Sequence, residues 1–311
     1  MRPWQKIFSM QTNDAYHSPV LLQESVAGLD IKEDGVYVDV TFGGGGHSKE
    51  ILKNLGSTGR LFAFDQDEDA QANALGDKRF VLIGENFRYT TQFLKFYGIR
   101  KVDGILADFG VSSHQFDKAE RGFSTRFDAD LDMRMSKRNQ VSAHDIVNTY
   151  SYDDLRKLLF EYGDLRNANA IAKGIVDGRE GKGIKTTEEL KLTLAQFLPE
   201  HKRHKILAQI YQAIRIEVNQ EIEVIKEFLE QVPTLLKKGG RLSVISYHSL
   251  EDRLVKRFIR AGQFVGEPEK DFYGNLSVPL KKVGALIVPS KEEIARNNRA
   301  RSAKLRIAER L

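Results

Sequence analysis

Residues 36–52, VYVDVTFGGGGHSKEIL, constrain this chain more than any other stretch. An alternating, strand-like run leads into four consecutive glycines, and a segment with helical spacing follows. A strand, a glycine turn and a helix in that order aim backbone N–H groups and a helix N-terminus at a ligand. The spacing is Gly43-x-Gly45-x-x-Ser48, so serine stands where a dinucleotide fingerprint has its third glycine. Asp65 closes the next strand-like run about 20 residues on, where an acidic side chain holds a ribose hydroxyl. This pattern fits NAD and S-adenosylmethionine equally well.

The same alternation of apolar runs and helical spacing recurs. Strands are expected at 36–42, 60–66, 79–85, 104–109 and 241–247, with helices between them, including one at 18–29 that opens with Ser18 and Pro19. Strands alternating with helices predict an α/β chain with a doubly wound, mostly parallel sheet. One interval breaks the rhythm, because about 130 residues separate Phe109 from Arg241 where a parallel crossover needs a dozen or more. Residues 211–232 have helical spacing and serve as that crossover. The surplus predicts a small helical domain inserted at 116–205, leaving 1–115 and 206–311 as one discontinuous domain.

Composition excludes several chemistries. The 311-residue chain has no Cys, hence no disulfide, no thiolate-held zinc or iron–sulfur cluster and no cysteine nucleophile. No metal is indicated by the spacing of His17 and His47. The N-terminus lacks an apolar signal region, and no run approaches about 18 apolar residues, so a cytoplasmic location away from membranes is expected. Of the net charge of +5, residues 291–311 supply +4 through seven Lys/Arg against three Glu. That segment reads either as a phosphate contact, with Arg299, Arg301, Lys304 and Arg306 as its footprint, or as a solvated amphipathic helix.

Two acidic residues bear on the choice of ligand. Asp39 lies within the first strand just before the glycines, and a negative charge there suits a sulfonium better than a pyrophosphate. Asp108, in ADFGVSS, ends the fourth strand at the sheet edge where ligands bind. A methyltransferase acting on an amine has a use for it, and a dehydrogenase has no standard one. The competing reading for both is hydrogen bonding to nearby loop amides.

The blocks HSPVLLQESVAGL, TFGGGGHS, DGILADFGVSSHQFDKAERGFS, LDMRMS, GGRLSVISYHSLEDRLVKRF and RARSAKLRIAER, in this order, resemble the bacterial small-subunit ribosomal RNA methyltransferase H family, also called MraW. The resemblance runs from about residue 16 to the C-terminus. It implies a Rossmann-like S-adenosylmethionine-dependent methyltransferase fold with an inserted helical domain. It also implies methyl transfer to the exocyclic N4 of a cytidine in the decoding region of 16S ribosomal RNA, with the small ribosomal subunit as partner. Carried over to this sequence, the cofactor contacts are Gly45, Gly46, His47, Asp65, Phe87, Asp108 and Gln115, and Asp108 is the catalytic candidate. A homodimer is compatible with the sequence, although no exposed apolar stripe compels one.

Two departures from the family pattern stand out. His114 replaces a more usual proline, and Ala129-Asp130 replaces Gly-Pro, which puts the turn before Leu131 in doubt. Phe123, Phe127, Arg121, Arg126 and Arg134 read either as contacts to a flipped base and its phosphates or as a packed, salt-bridged junction. Tyr247, His248 and Ser249 are expected near the site, His248 as a helix cap. Three rival functions remain at this level: an RNA-binding assembly factor without turnover, an NAD-dependent oxidoreductase, and an amino-methyltransferase acting on DNA or a small molecule.

Overall fold

The computed structural model describes residues 19–311 apart from 267, 269, 271 and 274–276. Ser18, His17 and the segment before them therefore lie outside the described residues, and the first helix seen is Leu22–Ala27. The strands are β1 (Val36–Asp39), β2 (Arg60–Phe64), β3 (Phe80–Ile83), β4 (Val102–Asp108), β5 (Leu236–Ser246), β6 (Leu280–Ile287) and β7 (Lys304–Arg310). They form one sheet in the order β3-β2-β1-β4-β5-β7-β6. The first five are parallel, and β7 runs antiparallel between β5 and β6. This is a doubly wound Rossmann-like sheet whose strand order reverses between β1 and β4.

Side chains alternate across the sheet as the period of two requires. Tyr37, Leu61, Ala63 and Leu106 pack on one face with Val26 and Ile51 of helices Leu22–Ala27 and Gly46–Asn54. Val38, Phe62, Phe64 and Ile105 pack on the other with Phe228 and Phe258 of helices Glu221–Leu235 and Ser249–Ala261. Both faces are covered, which is why these strands read as continuous apolar runs.

A separate core lies between β4 and β5 in the chain. It runs from Phe123 to Val218 and includes Leu131, Ile146, Leu158, Ile171 and Leu190. Side-chain caps start its helices: Ser142 and Thr186 form capping boxes with Asp145 and Glu189, and Ser151 accepts from Asp154. The expected crossover helix at 211–232 is two helices. Gln220 adopts φ 51°, ending Arg203–Asn219 and starting Glu221–Leu235. The first joins the inserted core through Ile206, Ile210 and Ile214, and the second packs on the sheet. Periodicity runs on across a single left-handed residue, so the break leaves no trace in the pattern.

The basic C-terminal segment is neither a solvated helix nor a tail. It begins with helix Lys291–Arg296, turns at Asn298–Ser302 and ends as β7 inside the sheet. Leu305 and Ala308 are fully buried there. Residues 129–131 pair antiparallel with 185–187 through Ala129, Asp130 and Leu131, so extended chain replaces the turn. Among the described residues no helix is long and apolar enough to cross a membrane.

Candidate active site

The carboxyl ends of β1 and β4 lie side by side where the strand order reverses, and they open onto a cavity of about 730 Å³. That is the place and the size at which open α/β sheets bind small molecules. Past β1 the chain turns through Gly43 (φ 52°) and Gly45 (φ 76°), backbone values that other residues adopt at a cost. Gly43, Gly44, Gly46 and His47 line the cavity. Gly45 does not; it is buried behind them against the Phe42 ring and caps helix Gly46–Asn54. A Cβ on Gly46 would collide with Pro19.

Two carboxylates hold this loop, Asp39 fully buried and Asp65 half-buried. Asp65 Oδ2 accepts the Gly43 N–H at 2.7 Å and Oδ1 accepts that of Asp67 at 2.9 Å. Asp39 accepts the Thr41 N–H at 3.1 Å and the Ser48 hydroxyl at 2.7 Å, so its geometry matches the loop-bonding reading. Burial pushes each of the two up to about 6.

Asp108 is placed differently. Its N–H donates to Thr41 Oγ1 at 2.6 Å, which fixes the strand end, and its side chain is 22% exposed and lines the cavity. The Tyr247 hydroxyl donates to Oδ1 at 2.9 Å. Oδ2 accepts no hydrogen bond among the described residues and lies 3.9 Å from His47 Nδ1, whose other ring nitrogen is 3.2 Å from the Val20 carbonyl. Burial pushes Asp108 up to about 6, opposed by His47 and by the Tyr247 hydroxyl. Two carboxylates at that level, Asp65 and Asp108, line the cavity and suit a ligand that brings positive charge and disfavour a pyrophosphate.

The remaining predicted contacts converge here. Phe87 stacks on Phe109 with ring centres 5.9 Å apart. Gln115, buried in helix Ser113–Asp117, completes a capping box with Ser112 and donates to Asp67 Oδ2 at 2.6 Å. Phe87, Asp65 and Gln115 all line the cavity. Asp67 is a residue that sequence reasoning missed, although the acidic run FDQDED carried the signal. It also receives Arg121 Nη1, whose Nη2 donates to the carbonyls of Arg134 and Met135.

A sequence description of the MraW methylase family matches residues 14–311. The chain belongs to the MraW methylase family. It is 68% identical to Ribosomal RNA small subunit methyltransferase H of Flavobacterium johnsoniae over 302 residues, covering 97% of this chain and 100% of that one. It is 67% identical to the protein of the same description in Christiangramia forsetii, covering 95% and 98%. Among solved structures, an rRNA methylase from Streptococcus thermophilus aligns at 12% identity with a TM-score of 0.40, covering 94% of this chain and 95% of that one. As a MraW methylase the chain is a methyltransferase that uses S-adenosylmethionine, and the glycine loop, the acidic lining and Phe87 fit that cationic donor.

The far wall of the methylase cavity is built from two segments that the sequence did not assign to the cofactor site. Gln212 and Arg215 come from helix Arg203–Asn219, and Asn297, Arg299 and Ser302 from the C-terminal turn. Arg121 and Arg134 are engaged by Asp67 and Asp132, and Phe123 is buried, so these three belong to a packed junction. Arg126 and Phe127 remain on the surface. His248 caps helix Ser249–Ala261, as expected. Glu221, His248 and Glu251 bring possible ligand atoms within 4.8 Å of one another. Arg215 forks onto Glu221 at 2.8 and 3.0 Å, which makes this group a buried ion-pair network tying the inserted core to the loop after β5. Glu251 stays below the usual range: burial opposes ionisation, and His248, the Tyr247 N–H and Arg215 outweigh it.

Proposed function

We propose that this methylase transfers a methyl group to the exocyclic N4 of a cytidine in the decoding region of small-subunit 16S ribosomal RNA. The observation that carries the reading is Asp108, a carboxylate oriented on one oxygen by Tyr247 and open on the other toward a cavity built for a cationic donor. The relatives' shared description as small-subunit ribosomal RNA methyltransferases supports the substrate class.

The cytosine amine is a weak nucleophile because its lone pair is delocalised into the ring. Asp108 Oδ2 accepts one amine N–H, and a carbonyl of the loop after β4 accepts the other. Held this way the nitrogen loses planarity and its lone pair becomes available. S-adenosylmethionine, held by the glycine loop, Asp65 and Phe87, would supply the methyl group, with the electron pair of the broken C–S bond left on its sulfur. The methylated amine then gives its proton to Asp108 or to water. Positioning contributes much of the rate, since both reactants are held by one rigid sheet edge. Methylation at pyrimidine C5 normally proceeds through a thiolate, and this chain has no Cys.

The target base must leave its stack to reach Asp108, at about a few kcal/mol if it is paired. The inserted helical unit at 116–205, with the helix that follows it, is assigned the recognition of the surrounding RNA. Substituting Asp108→Ala tests the chemistry. Methyl transfer to small subunits should fall at least about 100-fold while RNA retention on filters persists. Transfer at the wild-type rate would remove Asp108 from the reaction.

A further inference from the structure

Helix Arg203–Asn219 has two unlike ends. Its last turns carry Gln212 and Arg215 into the active-site cavity. The segment that leads into it, EHKRHK at 200–205, holds three Lys/Arg against one Glu. No acidic residue lies in the first helical turn. Helix N-termini carry positive partial charge and favour anions, so this placement costs stability unless an anion from outside compensates it. Lys202, Arg203 and Lys205 have no ion-pair partner among the described residues, and the buried Nε of Arg203 has no hydrogen-bond acceptor.

The cationic end and the cavity end lie on one stripe. Lys205, Ala208, Gln212 and Arg215 are spaced three, four and three residues apart and so share a helix face. Exposure along the stripe falls in steps: Lys205 and Ala208 are exposed, Gln212 is half-buried and Arg215 is buried. The opposite side, with Ile206, Ile210 and Ile214, is packed into the inserted core. The stripe is therefore a ridge that descends from solvent into the cavity, about 15 Å long at 1.5 Å per residue.

The other basic segment is already committed. Lys304 and Arg306 both pair with Asp252, and Arg299 forks onto Asp117. Three of the four cations of the footprint expected at the C-terminus are thus engaged by carboxylates within the fold, whereas among the described residues Lys202 and Lys205 are not.

We propose that this ridge is the track on which the phosphate backbone of single-stranded RNA enters the site. Lys202 and Lys205 contact phosphates a few nucleotides from the cytidine delivered to Asp108. The proposal rests on RNA being the substrate and adds where its backbone is held.

The test is the double substitution Lys202→Glu with Lys205→Glu, beside a control carrying Arg at both positions. Both lysines are exposed, and unchanged thermal melting verifies the fold. Binding to isolated small-subunit RNA is measured by filter retention between about 50 and 200 mM salt, where each phosphate contact to a single strand adds about 0.7 to the slope of log affinity against log salt. The Glu variant should lose at least about 1.4 from that slope and bind at least tenfold more weakly. Its KM for RNA should rise with kcat unmoved, and the Arg control should behave as wild type. A Glu variant with the wild-type slope and affinity overturns the ridge. Wild-type enzyme that binds through the ridge yet leaves cytosine N4 unmethylated would overturn the proposed function and leave the ridge standing.

Discussion

Tyr247 and Asp108 lie 139 positions apart in the chain, yet the Tyr247 hydroxyl is 2.9 Å from Asp108 Oδ1. The tyrosine lies just past β5, and its own N–H donates to the buried Glu251 at 2.8 Å. Its ring position is thereby fixed by the same ion-pair network that anchors the inserted helix. Hydrogen bonds to a carboxylate favour the ionised form, so Tyr247 lowers the pKa of Asp108 while burial raises it to about 6. Methyl transfer should accordingly climb with pH through about 6 as Asp108 loses its proton. Tyr247→Phe removes the donor and should lower kcat about 10- to 100-fold, the worth of a hydrogen bond to a charged group. The acid limb of the kcat profile should move to higher pH, with affinity for S-adenosylmethionine unchanged. A profile that stays in place would reduce Tyr247 to packing.

β7 anchors the C-terminal segment in the sheet. It satisfies the hydrogen-bonding edge of β5 on one side and of β6 on the other. Leu305 is fully buried against Val20, Leu21 and Ile245. Leu305→Ala should cost about 2–5 kcal/mol in urea unfolding. A loss within a few tenths would mean that the strand is not packed as described. β1 to β5 were legible because each is an apolar run covered on both faces. β6 and β7 were not, because Lys281, Lys282, Lys304, Arg306 and Arg310 break the apolar pattern. In β7 two of those cations share the carboxylate of Asp252, 52 and 54 residues upstream. The same distinction holds in the site. The glycine loop, Asp65 and Asp108 are marked by local order along the chain. The Tyr247 hydroxyl on Asp108, Arg121 on Asp67 and the turn at 298–302 depend on contacts between distant segments, which no local pattern records.

The whole molecule joins two cores around one cavity. The sheet supplies the glycine loop, Asp65, Phe87 and Asp108, and the inserted core supplies Gln212 and Arg215. Arg215 to Glu221 crosses the break at Gln220, and Glu221 sits beside the cap of the helix after β5. The two units are thus locked at the cavity, with Gln212 and Arg215 on one wall and the acidic residues Asp65 and Asp108 on the other. Under the proposed function this cavity brings cytosine N4 to a methyl donor at Asp108. That function is tested most directly by incubating the enzyme with labelled S-adenosylmethionine and unmodified small subunits, or their naked RNA, then digesting the RNA for nucleoside mass spectrometry. Label in N4-methylcytidine from at least one of the two RNA substrates is the expected result. Label confined to another nucleoside, or none from either substrate while the cofactor binds, would contradict the proposed function.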